Sequence, residues 1–215
     1  MKLRKMSAAV CGLALAGAMA PAMADLSGNI GLTSDYVWRG VSQSDEHFAA
    51  SAGLDYSHSS GLYVGIWGSN VDFGSEADVE ADLYGGFSGQ AAGLSYDLGY
   101  IEYTYPNETG LNFGEGYVGL GYGPGSVKVS HDFDNDNTYY EGALSFDIGG
   151  GFGAGAHVGY YDFDKGTDYT DWKLGVTKSI GPVDLELAYT DTDMSSDDCG
   201  GACGARAVVS AKWTF

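Results

Sequence analysis

A period of two runs through this chain and never gives way to a helical period. Segments of about ten residues place apolar side chains on one parity and small or polar ones on the other, as in a strand with two unlike faces. The segment 206–215 shows the pattern. Ala207, Val209, Ala211, Trp213 and Phe215 fall on one face, and Arg206, Ser210, Lys212 and Thr214 on the other, with Val208 the exception. A tilted strand of about ten residues is also what crossing a bilayer requires.

Twelve such segments are predicted, over 26–42, 48–58, 62–72, 79–87, 94–103, 114–122, 127–133, 140–148, 152–162, 170–180, 183–189 and 206–215. In the first, Leu26, Ile30, Leu32, Tyr36 and Trp38 share the apolar parity. The connections alternate in character. One set is tight and glycine-rich, at 59–61, 88–93, 123–125, 149–151 and 181–182. The other is longer and mostly acidic, at 43–47, 74–78, 105–112, 134–138, 164–169 and 191–204. Short turns on one rim and longer loops on the other are the plan of a bacterial outer-membrane barrel. The expectation is therefore an all-β fold, a transmembrane antiparallel barrel of about twelve strands. Its short turns would be periplasmic and its acidic loops extracellular. A soluble sandwich or lipocalin-like barrel is the competing architecture, but the second parity is too polar for a packed interior. Trp38, Tyr100, Tyr189 and Trp213, near segment ends, are the expected aromatic girdle.

The amino-terminus reads as an export signal. Met1–Lys5 is basic, Ser7–Ala20 is small and apolar, and Ala22-Met23-Ala24 suits cleavage before Asp25. Residues 1–24 are the expected leader and 25–215 the barrel domain. With 29 acids against 10 bases the net charge is −19, the wrong sign for nucleic acid. Abundant Tyr, Phe and Trp argue against disorder. The ending Trp213-Thr214-Phe215 is similar to the carboxy-terminal signal read by the barrel-assembly machinery, the first expected partner. Outer-membrane lipids, lipopolysaccharide and small hydrophilic solutes are the others.

The stretch 29–43, Asn-Ile-Gly-Leu-Thr-Ser-Asp-Tyr-Val-Trp-Arg-Gly-Val-Ser-Gln, with 54–58 and 60–71, resembles the TorF family of porins. Trp38 stands where that family would be expected to carry Phe. The resemblance implies a pore-forming outer-membrane protein of Gram-negative bacteria. It assigns no binding or selectivity residues.

Candidate pore-lining residues follow from the polar parity: Asp35, Arg39, Glu80, Asp82, Glu115, Lys128, His157, Lys173, Arg206 and Lys212. Arg39, Lys173, Arg206 and Lys212 are expected on one wall, or else in ordinary lumen salt bridges such as Asp35 with Arg39. Asp55, Asp97, Asp132, Glu141, Asp147, Asp171, Asp184 and Glu186 add inward acids, so cation preference is expected. The acidic run Asp132-x-Asp134-x-Asp136 fails the EF-hand template, with Asn137 at the glycine position and Ala143 at the glutamate position. No metal or other cofactor is expected. Cys199 and Cys203 are expected to form a disulfide within the longest loop.

Ser57-His58 and Ser130-His131-Asp132 invite a hydrolase reading, but strand neighbours point to opposite faces. The expected function is passive diffusion of small hydrophilic solutes, without catalysis. The alternatives are a non-conducting structural, adhesin-like or ligand-binding barrel and, behind these, a lipid hydrolase.

Overall fold

The computed structural model describes residues 25–215, so the leader expected at 1–24 lies outside the described residues. In chain order the strands are β1 (Asp25–Thr33), β2 (Val37–Trp38), β3 (Val41–Ser42), β4 (Ala49–Ser57), β5 (Leu62–Asn70), β6 (Val79–Ala91) and β7 (Leu94–Thr104). After a 3-10 turn at Thr109–Leu111 come β8 (Phe113–Tyr122), β9 (Gly125–Asp132), β10 (Asn137–Gly149), β11 (Phe152–Asp162), β12 (Tyr169–Ile180), β13 (Val183–Thr192) and β14 (Arg206–Thr214). β2 and β3 form a separate small hairpin, and the remaining strands close an antiparallel barrel in which β1 pairs with both β4 and β14. Among the described residues the barrel therefore has twelve strands and no open edge.

The tight turns follow from backbone chemistry. Ala92 and Gly93 join β6 to β7 with φ of 52° and 83°, the pair of positive values that a two-residue type I′ hairpin needs. Asp25 and Phe215 lie on this short-turn rim. Here Phe215 extends the closure: its N–H donates to Gly28 O at 3.0 Å, and the Gly28 N–H donates back to Phe215 O at 2.8 Å. Gly28 leaves room for the Phe215 ring, which would stand 2.7 Å from a Cβ at that position.

The burial pattern is inverted. Leu26, Ile66, Leu83, Leu98, Val118, Leu174 and Leu187 are exposed on the outer wall. Glu80, Glu115, Asp132 and Asp171 are each only 2 % exposed, on the inside. In water the outer band would forfeit about 25 cal/mol per Å² of apolar surface. Against hydrocarbon it would lose nothing, and closure leaves no strand edge unpaired.

The first predicted strand is corrected. It was expected to run to residue 42 with Tyr36 and Trp38 facing outward. Instead β1 ends at Thr33, and Ser34 makes the last contacts with the wall: its N–H donates to Val209 O at 2.9 Å and its Oγ accepts from Val209 N at 3.0 Å. From Asp35 the chain turns into the barrel. Trp38 packs against both buried aromatic clusters there and is not part of an outer girdle. Tyr100, Tyr189 and Trp213 do face outward.

Candidate functional site

The inserted segment is a hairpin because its centre is Arg39-Gly40, with φ of 49° and 80°. These positive values turn β2 back on β3 in two residues, pairing Val37 with Ser42 and Trp38 with Val41. Gly40 is needed for space as well as for φ. A Cβ there would lie 2.7 Å from Asp171 Cβ and 3.2 Å from Thr192 Cβ, so only glycine lets the tip reach the β12–β13 wall.

At the tip, the Arg39 guanidinium donates to both carboxylate oxygens of Glu115 on β8, each at 2.7 Å. It lies 4.0 Å from the Trp38 ring centroid, 4.2 Å from that of Tyr139 and 4.9 Å from that of Tyr161. The Arg39 carbonyl accepts from the Tyr169 hydroxyl at 2.9 Å. One residue thus ties the hairpin to two well-separated strands, β8 and β12. At the root, the Asp35 carboxylate accepts from Ser42 Oγ at 2.6 Å and from Arg206 Nη1 at 2.9 Å. The flank is held by the last long loop: Ser42 N–H donates to Ala202 O at 2.8 Å, and Val41 bridges to Cys203. A Cys199–Cys203 disulfide closes that loop. Trp38 fills the centre, edge-on to Tyr103 at 5.9 Å and to Tyr161 at 6.1 Å. The hairpin thus stands inside the barrel, packed on inward-facing aromatic side chains.

The Asp35–Arg39 pairing expected from sequence is corrected. Parity along a straight strand put them on one face, but the hairpin carries Arg39 to Glu115 and leaves Asp35 to Arg206. The single basic wall is corrected for the same reason. Arg39 reaches β8, while Lys173 on β12 pairs with Glu186 at 3.3 Å. Lys212 lies on the inward parity near the short-turn rim, in register with Asp184.

Elsewhere the wall is divided by charge. No lysine or arginine occurs between Arg39 and Lys128. Strands β4 to β8 accordingly present Asp55, Glu80, Asp82, Asp97 and Glu115 inward without a base of their own. Tyrosine hydroxyls take the place of cations. Glu80 accepts from Tyr36 at 2.7 Å and from Tyr105 at 2.6 Å, Asp97 accepts from Tyr63 at 2.7 Å, and Asp55 accepts from Tyr84. Asp82 Oδ1 is buried and has no hydrogen-bond partner. On the other side, Lys128 meets Glu141 at 3.0 Å, and His157 stands 3.5 Å from both Glu141 and Asp171. Asp171 also accepts from Tyr139 at 2.7 Å.

The tyrosine partners escaped the sequence reading. Tyr63, Tyr84 and Tyr105 meet their carboxylates across strands, and only the register brings them together. His157 contacts acids and Tyr139. Ser130 and Asp132 point inward while His131 is outside, against Phe133. Asp132 accepts from Asp134 N at 2.9 Å and from Asn135 N at 3.1 Å, so it shapes the β9–β10 turn.

This architecture is similar to that of known porins. The KdgM porin matches with a TM-score of 0.64 at 9% identity, over 88% of this chain and 99% of that one. A KdgM structure in complex with disordered oligogalacturonate gives 0.61 at 8% identity, over 88% and 98%. The NanC porin gives 0.61 at 9% identity, over 89% and 99%. The outer membrane protein Omp33 of Acinetobacter baumannii gives 0.56 at 9% identity, over 89% and 98%. At these identities the likeness is one of fold. No curated protein matches the chain in sequence. A family model does match, over residues 16–215, and the chain belongs to that family: Gcw_chp, described as a bacterial protein of unknown function.

Proposed function

We propose that this chain is an outer-membrane, porin-like channel through which small hydrophilic solutes diffuse, with a preference for cations. The observation that carries the proposal is the inside-out barrel whose β4–β8 wall turns Asp55, Glu80, Asp82 and Asp97 inward with no lysine or arginine paired to them, the fifth acid, Glu115, being matched by Arg39. A wall of one sign concentrates counter-ions in a narrow aqueous passage. The fold it shares with KdgM and NanC supports the reading. Export through the 1–24 leader, assembly guided by Trp213 and Phe215, and lipopolysaccharide around the acidic loops belong to the same proposal. Catalysis has no part in it. The oligogalacturonate in complex with KdgM is an acidic oligomer, and the β4–β8 wall of this chain has the wrong sign for such a solute.

A specific observation favours a second reading, a barrel held shut by its own hairpin: Trp38 and Arg39 are packed among Tyr103, Tyr139 and Tyr161. Liposome swelling separates the two. Vesicles carrying the refolded protein should swell in small neutral and cationic solutes and more slowly in anionic ones of equal size. No swelling in any solute would leave the shut barrel standing.

A further inference from the structure

The β5–β6 and β7–β8 loops border an open cleft of about 360 Å³ lined by Phe73, Ser75, Tyr105, Glu108, Leu111 and Phe113. That is at the lower end of the range for small-molecule sites, about 300–1,000 Å³. Its walls are aromatic: Phe73 meets Tyr105 edge-on at 5.6 Å, and Phe113 is stacked on Tyr103 at 4.5 Å. The backbone beneath Glu108 is fixed by its own contacts. Tyr105 N–H donates to Asn112 Oδ1 at 2.8 Å, Glu108 N–H to Tyr105 O at 2.9 Å, and Asn107 Nδ2 to Asp78 Oδ1 at 2.6 Å. Yet Glu108 Oε2 is buried and accepts no hydrogen bond. A desolvated carboxylate oxygen is costly until a cation or donor meets it.

We propose that this cleft binds a small organic cation, an ammonium group bearing apolar substituents. Its charge would lie beside the Glu108 carboxylate, which is part of the lining, and its alkyl surface would lie against the rings of Phe73, Tyr105 and Phe113, whose quadrupoles attract cations. A hard divalent ion is a poor fit, since it wants six or more oxygens and the lining is mostly apolar. An anion would face the carboxylate directly. The proposal deepens the channel reading and rests on it for its purpose. The Tyr105 ring lines the cleft while its hydroxyl donates to Glu80 Oε2 at 2.6 Å, so a bound cation stands at the head of the acidic wall.

The test is calorimetric titration of the refolded protein in detergent micelles with choline, and with 3,3-dimethylbutanol as a neutral probe of the same shape. Choline should bind saturably and the neutral probe should not. Glu108→Gln should weaken choline about tenfold, as loss of the Coulomb attraction between the quaternary ammonium and a partly buried carboxylate implies. Phe73→Leu, which keeps the apolar volume and removes the ring, should weaken it about two- to fivefold. Unchanged heat-modifiable migration would establish that each variant is folded. Absent choline binding, equal binding of both probes, or indifference to both substitutions would overturn the site. Binding in micelles needs no conduction. A protein that binds choline but is silent in bilayers loses only the channel reading, and one that conducts but ignores choline loses only the site.

Discussion

Arg39 and Glu115, separated by 76 positions in sequence, meet inside the barrel through two parallel 2.7 Å hydrogen bonds. Their side chains are 7% and 3% exposed, so the pair is desolvated and each charge depends on the other. Replacing one partner strands the other, at about 3–5 kcal/mol. Glu115→Leu and Arg39→Met should each lower stability by that order in urea unfolding. The double variant Arg39→Met, Glu115→Leu should cost clearly less than the sum of the single ones. Additive losses would mean that the two residues act independently.

Gly40 supports the same tip from the backbone. With φ at 80° and the Asp171 Cβ in the way, Gly40→Ala combines about 1–2 kcal/mol of left-handed strain with a steric clash. The barrel wall does not need this residue, so Gly40→Ala should still insert and migrate as a folded species. Its Trp38 emission should nevertheless shift to the red as the hairpin leaves its aromatic surroundings. An unchanged spectrum would contradict the packing described for the tip.

How far the sequence could be read divides at this hairpin. The barrel strands were legible because parity and glycine turns are local signals. Leu98 and Val118 declare their face by their neighbours, and the same holds for β14. Residues 35–42 were misread because they keep the parity of β1, with Tyr36 and Trp38 in phase with Ile30 and Leu32. The local warning was Gly40, a two-residue turn inside an apparent strand. The ion pairs were not legible, since Arg39 with Glu115 and Tyr105 with Glu80 depend on register and insertion. Strand charge was readable in kind, and its segregation to β4–β8 follows from the run without lysine or arginine between Arg39 and Lys128.

The outer wall makes a prediction of its own. Val118, 51% exposed at the middle of β8, faces hydrocarbon in this account. Val118→Arg should cost about 2–4 kcal/mol in refolding into vesicles, whereas Ser210→Arg, on the inward parity of β14, should cost much less. Equal costs would mean that the two faces had been assigned wrongly.

The Cys199–Cys203 disulfide shapes the loop whose Ala202 carbonyl accepts from Ser42 N–H at 2.8 Å. Replacing both cysteines with serine should leave the barrel strands intact while speeding amide hydrogen exchange at Val41 and Ser42. Acceleration spread evenly over β13 and β14 would instead assign the bridge to the wall.

The central claim is a cation-preferring passage beside an acidic wall, and its most direct test is the reversal potential of single channels in a planar bilayer under a KCl gradient. The account predicts discrete conductance steps, a reversal potential of the sign set by K⁺, and a loss of that preference in Asp55→Asn, Asp97→Asn. Anion selectivity, or a folded barrel that passes no current, would contradict it.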